Sequence, residues 1–112
     1  MNFLRETEQD IVIFKVSLVR ASMKEAEEFK KIISEEIDNG IKKIVIDFSH
    51  CDSMDSTFIS ALITSLKNII KAGGRMVLAS LRSDAHSLME LTGTSKVFSF
   101  YPSVKEAVKS FQ

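Results

Sequence analysis

Three short runs rich in β-branched and aromatic residues, at 11–16, 44–48 and 75–80, are separated by two segments whose apolar residues return at helical spacing. That alternation limits the fold more than any other feature. Strands divided by amphipathic helices of about sixteen residues pair through parallel crossovers, which predicts an α/β layer fold. In the first helical segment, 23–39, Ala26, Phe29, Ile32, Ile33 and Ile37 share one side. Lys24, Glu27, Glu28, Lys31, Glu35 and Asp38 fill the other and read as a solvated face. Asn39-Gly40 supplies a left-handed stop. The second segment, 56–72, carries a wider apolar face that includes Phe58, Ile59, Leu62, Leu66 and Ile69, and Gly73-Gly74 ends it.

The flanks are shorter. Residues 3–8 predict an edge strand paired with 11–16 through a turn at Gln9-Asp10, which makes the sheet mixed. Ser83 is placed to cap a short helix running to Leu91 or Thr92, closed by Gly93. Residues 97–100 predict a last strand. Ser103-Val104-Lys105-Glu106 has the spacing of a capping box for a final helix that buries Val104, Ala107, Val108 and Phe111. At 112 residues, with no repeat or break in composition, one domain over 1–112 is expected.

Charge and cysteine usage bound the function. Fifteen Lys and Arg against fifteen Asp and Glu give zero net charge, so nothing predicts a nucleic-acid surface. No segment approaches the length of a membrane span, and the first residues lack the pattern of a signal peptide. The single cysteine, Cys51, excludes an internal disulfide. A cytoplasmic setting is expected.

The densest polar stretch follows the strand at 44–48, where folds of this class place their working residues. It runs Ser49-His50-Cys51-Asp52-Ser53-Met54-Asp55-Ser56-Thr57. Neighbours in extended chain point apart, so His50, Cys51 and Asp52 do not predict a nucleophilic or metal site. The phosphate-loop pattern of glycines followed by Lys and Ser or Thr is absent. No catalytic residue, metal or cofactor is expected. Met54-Asp55-Ser56-Thr57 opens a helix, where a hydroxyl or carboxylate ordinarily caps free amides. The same place suits a regulated serine, because the amides and the helix dipole tolerate an added phosphate.

In order and spacing these pieces resemble STAS domains, the family that includes the bacterial anti-sigma factor antagonists. The resemblance rests on Ile44-Val45-Ile46-Asp47-Phe48-Ser49, Met54-Asp55-Ser56-Thr57 opening an apolar helix, Gly73-Gly74 before a strand, and Leu91-Thr92-Gly93 ahead of Lys96-Val97-Phe98. The stretch from Tyr101-Pro102-Ser103 to Ala107 completes it. It implies a mixed sheet of four to five strands with helices mainly on one face. It also implies a partner-switching role: the unmodified protein binds an anti-sigma factor that is a serine kinase, phosphorylation blocks binding, and a phosphatase restores it. Carried onto this chain, the acceptor is Ser56, with Thr57 as the alternative. The expected contact residues are Met54, Asp55, Ser56, Thr57, Phe58 and Ser60. The chain departs from the family where Phe58-Ile59 replaces Gly and Leu. It departs again where Val16-Ser17-Leu18-Val19 lacks a Gly and an Asp. Those departures motivate the alternative of a non-switching scaffold in a larger signalling or transport complex. The oligomeric state stays open, a homodimer through the exposed sheet face included.

Overall fold

The structure, a computed structural model, describes residues 1–112. In chain order its elements are β1 (Phe3–Glu8), β2 (Ile11–Val16), β3 (Arg20–Ala21), α1 (Met23–Asp38), β4 (Lys43–Asp47), β5 (Ser53–Met54) and α2 (Ser56–Lys71). β6 (Arg75–Ala79), α3 (Ser83–Leu91), a 3-10 turn (Thr94–Lys96), β7 (Phe100–Tyr101) and α4 (Val104–Lys109) follow.

β1 and β2 form the antiparallel hairpin, with Glu8 opposite Ile11 across the two-residue turn. β4, β6 and β7 then add in parallel, giving the order β1-β2-β4-β6-β7. β-branched residues fill the central strands because both faces are covered. On one face α1, α2 and α3 bury Val12, Phe14, Ile44, Ile46, Met76 and Leu78. On the other, Ala107 and Val108 of α4 cover Ile11, Ile13, Val45 and Val77. Arg75 fastens the end of α4: its guanidinium donates to the Tyr101 hydroxyl and the Ser110 carbonyl and lies over the Phe111 ring. No helix is long and apolar enough to cross a membrane.

α1 and α2 are joined twice near their N-terminal ends. Phe29 of α1 and Phe58 of α2 tilt together at 5.3 Å between ring centroids, and Phe3 of β1 closes the trio at 5.5 and 6.2 Å. Above the rings, one carboxylate serves both helices. Asp55 Oδ1 accepts from the Phe58 amide at 2.9 Å, capping α2, and Oδ2 accepts from the Met23 amide at 2.9 Å at the start of α1. Ser22 and Glu25 add a reciprocal capping box to α1. At the far end, Gly74 admits no side chain, since a Cβ there would lie 2.6 Å from the Lys42 carbonyl oxygen.

Four details differ from the sequence expectation. Residues 53–54, read as loop, form β5 and pair in parallel with β3, because the Val19 carbonyl accepts from the Asp52 and Ser53 amides. The last strand lies at Phe100–Tyr101, since Val97 ends a 3-10 turn and Phe98 turns into the core. Ser83 does not cap α3; Arg82 stands at the cap and no side chain bonds the first amides. Its guanidinium is instead drawn to Asp52 and the Ser49 carbonyl. The strand at 75–80 stops one residue early, with Ser80 at φ 59°.

Two outcomes follow. Ser65 on α2 is 2% exposed and its hydroxyl has no hydrogen-bond partner. Ser65→Ala removes an unsatisfied buried group and is expected to raise stability by about 1 kcal/mol in urea unfolding. Asp55→Ala loses a cap and a second amide acceptor, about 2 kcal/mol together. A fall of roughly 10 °C in Tm is expected, with a smaller loss for Asp55→Asn.

Candidate functional site

The site is the first turn of α2 and what surrounds it. α2 begins where it does because Asp55, in extended backbone, turns its carboxylate back onto the Phe58 amide. The helical phase then separates inside from outside. Phe58, Ile59, Ala61, Leu62, Leu66 and Ile69 are buried, while Ser56, Thr57, Ser60 and Thr64 are exposed. Ser56, Ser60 and Thr64 lie four residues apart and form a hydroxyl stripe along one face. The amides of Ser56 and Thr57 occupy first-turn positions that have no intrahelical acceptor. The Ser56 hydroxyl therefore stands open at the positive end of a sixteen-residue helix.

Of the six expected contact residues, two are corrected. Phe58 is fully buried in the aromatic trio, and Met54 is buried in the core beneath β5. Neither side chain can meet a partner; both fix the turn from below. Phe58, where the resemblance expects Gly, points inward and leaves the Ser56 hydroxyl uncovered. Asp55 is half-buried with both oxygens bonded to amides, so it acts on the surface chiefly by holding two helices together. Ser56, Thr57 and Ser60 remain at the surface.

The residues before this turn go separate ways. The Cys51 sulfur is buried and donates to the Ser53 carbonyl at 3.2 Å, and burial pushes its thiol up from the ordinary cysteine value. A buried, neutral thiol is a poor nucleophile. Asp52 pairs with Arg82 at 3.3 Å. His50 is exposed, its Nδ1 3.1 Å from Ser49 Oγ. His86 faces Glu90 and the edge of Phe100. These groups share no common point, and no cluster of three or more His, Cys, Asp or Glu side chains has metal-holding geometry.

Sequence reasoning missed a shoulder beside the turn. Val19 and Met23 are 71% and 67% exposed, although each is large and apolar. Val19 stands where the resemblance expects an acid. The available signal was phase: Met23 lies outside the apolar stripe of α1, which begins at Ala26.

Comparison with known proteins agrees with this fold. A candidate anti-sigma factor antagonist of Thermotoga neapolitana is 25% identical over 105 residues, spanning 93% of this chain and 92% of that protein. The crystal structure of a candidate anti-sigma factor antagonist from Thermotoga maritima superimposes with a TM-score of 0.89 at 26% identity, over 96% of this chain and 92% of that one. The fold also matches the Bacillus cell fate determinant SpoIIAA in its phosphorylated form, with a TM-score of 0.75 at 17% identity over 98% and 99% of the two chains. The family model for the STAS domain matches residues 3–107, and the chain belongs to that family.

Proposed function

We propose that this protein is a cytoplasmic anti-sigma factor antagonist controlled by phosphorylation of Ser56, with Thr57 as the alternative acceptor. Unmodified, it binds an anti-sigma factor that is also a serine kinase, through the α2 start and its exposed hydroxyls Ser56, Thr57 and Ser60. The kinase modifies Ser56, the complex separates, and a phosphatase restores the binding form.

One observation carries the reading: the Ser56 hydroxyl is exposed at a helix N-terminus while the neighbouring Asp55 carboxylate is held by two backbone amides. The helix can accept a phosphate there without unfolding, because its first amides and dipole favour negative charge. The phosphate adds about −1.5 to −2 charges. At roughly 5 Å from a partner carboxylate and an effective dielectric near 20, each unit of charge costs about 3 kcal/mol. That is about two orders of magnitude in affinity. The curated Thermotoga relatives, named as candidate antagonists and matched over nearly their whole length, support the same role.

Incubation with the cognate kinase and ATP is expected to add one phosphate by intact mass, located on Ser56 by peptide fragmentation. Ser56→Ala is expected to lose the label and keep binding; Ser56→Asp is expected to bind at least about tenfold more weakly. Wild-type affinity in Ser56→Asp would refute the electrostatic switch. A stable complex indifferent to ATP would decide for a non-switching scaffold.

A further inference from the structure

The two faces of the sheet are covered unequally. Three helices fill one face, whereas α4, six residues long, lies alone on the other. α4 packs over β4, β6 and β7, and its buried Ala107 and Val108 reach as far as Ile11 and Ile13 of β2. β1 is left bare. Its Phe3 ring turns to α1, so alternation puts Leu4, Glu6 and Glu8 on the α4 side, where all three are exposed. The face therefore carries a step, with α4 standing about 10 Å above an empty ledge of strand.

The two sides of the step carry opposite charge. Glu6 and Glu8 mark the ledge, Lys105 and Lys109 the flank of α4. Glu6, Glu8 and Lys105 have no ion-pair partner within the chain, and Lys109 reaches only Glu106, at 3.9 Å. Glu8 lines one cleft of about 450 Å³ with Lys105, Lys109, Val104 and Val108, yet pairs with neither lysine across it. The remaining cations of this face are settled elsewhere. Lys43 pairs with Asp10, and Arg75 holds Tyr101 and the end of α4. Lys15 stands beside Asp47, four residues along β2 from the Ile11 that faces Glu8. Spacing matches as well: two strand residues separate Glu6 from Glu8 by about 7 Å, and one helical turn separates Lys105 from Lys109 by about 6 Å.

We infer that this step is the contact surface of a two-fold homodimer. With the axis along the cleft, α4 of each copy fills the bare ledge of the other. Lys105 and Lys109 then meet Glu6 and Glu8 of the second copy, twice over, while Leu4 and Val104 supply the apolar part. A partner carrying one sign of charge satisfies only one side of the step, whereas a second copy satisfies both. The α2 start lies across the sheet from this contact, so Ser56 stays open in both copies.

The test is sedimentation equilibrium of the full chain. A small, polar contact of this kind is expected to give a wild-type dimer between about 5 and about 500 µM. Raising salt from about 50 to about 300 mM is expected to weaken it at least about threefold. Glu6→Lys/Glu8→Lys and Lys105→Glu/Lys109→Glu each set like charges together, and each alone is expected to weaken the dimer more than about tenfold. Mixed one to one, the two variants place opposite charges at both contacts. A heterodimer within about threefold of wild-type affinity is expected. Glu6→Gln/Glu8→Gln keeps shape and is expected to lose at least about threefold, which decides the matter if a charge-reversed chain fails to fold. Unfolding midpoints check that each variant is folded. A wild type that stays monomeric at about 500 µM overturns the proposal. So does a dimer that the variants leave intact, or one that mixing fails to restore.

Discussion

The position of every group at the α2 start depends on where the Phe58 ring goes. Two residues after an exposed hydroxyl, the chain places a large aromatic side chain wholly inside, against Phe29 of α1 and Phe3 of β1. That contact fixes the rotation of α2 about its axis, and the rotation sends Ser56, Thr57 and Ser60 outward. A buried Phe contributes on the order of 3–5 kcal/mol against truncation, a large share of a small domain's stability. A hydrogen-bonded cap alone would leave the helix start free to fray.

Asp55 works in series with that ring. Phe58 locks the phase of one helix, and the Asp55 carboxylate locks the spacing of two by bonding the Phe58 and Met23 amides. Both bonds are charge-assisted, and each meets a helix end that favours negative charge. A carboxylate so placed is held rigidly while it keeps its full negative charge beside Ser56.

The periodic parts of the fold were legible, and the pairings set by distant contacts were not. The β-branched runs became β2, β4 and β6, and the helical spacing of Ala26, Phe29 and Ile33 became α1. β3 and β5 have two residues each, too few for any period, and exist because the Val19 carbonyl meets amides more than thirty residues away. Residues 97–100 alternate as a strand should, yet a 3-10 turn spends that alternation on burying Phe98. At the site, Ser56 could be placed from its capping neighbour. Met54 and Phe58 lie close to Ser56 in sequence but point inward, because adjacent residues do not share a direction. Phe58 shares its phase with Leu62, Ser65 and Ile69, so the helical pattern already placed it inside.

A chain with no net charge can still choose its partner electrostatically, provided its charges differ in how far they are internally committed. Near the α2 start, charges of both signs stand without an ion-pair partner. Asp52 is balanced by Arg82, whereas Asp55 and Glu25 accept only from neutral donors and keep their charge. Arg20 and Lys24 are left to solvent. Solvent screens a free cation over about 8 Å at physiological salt, so its reach is local. A dianionic group added at Ser56 joins the Asp55 charge beside it and deepens the negative field over the helix start. The location of Ser56 thus matters more than its chemistry. A hydroxyl farther along the stripe, at Thr64, would lie two helical turns away, about 12 Å along the axis, beyond the screening distance of a partner seated on the first turn.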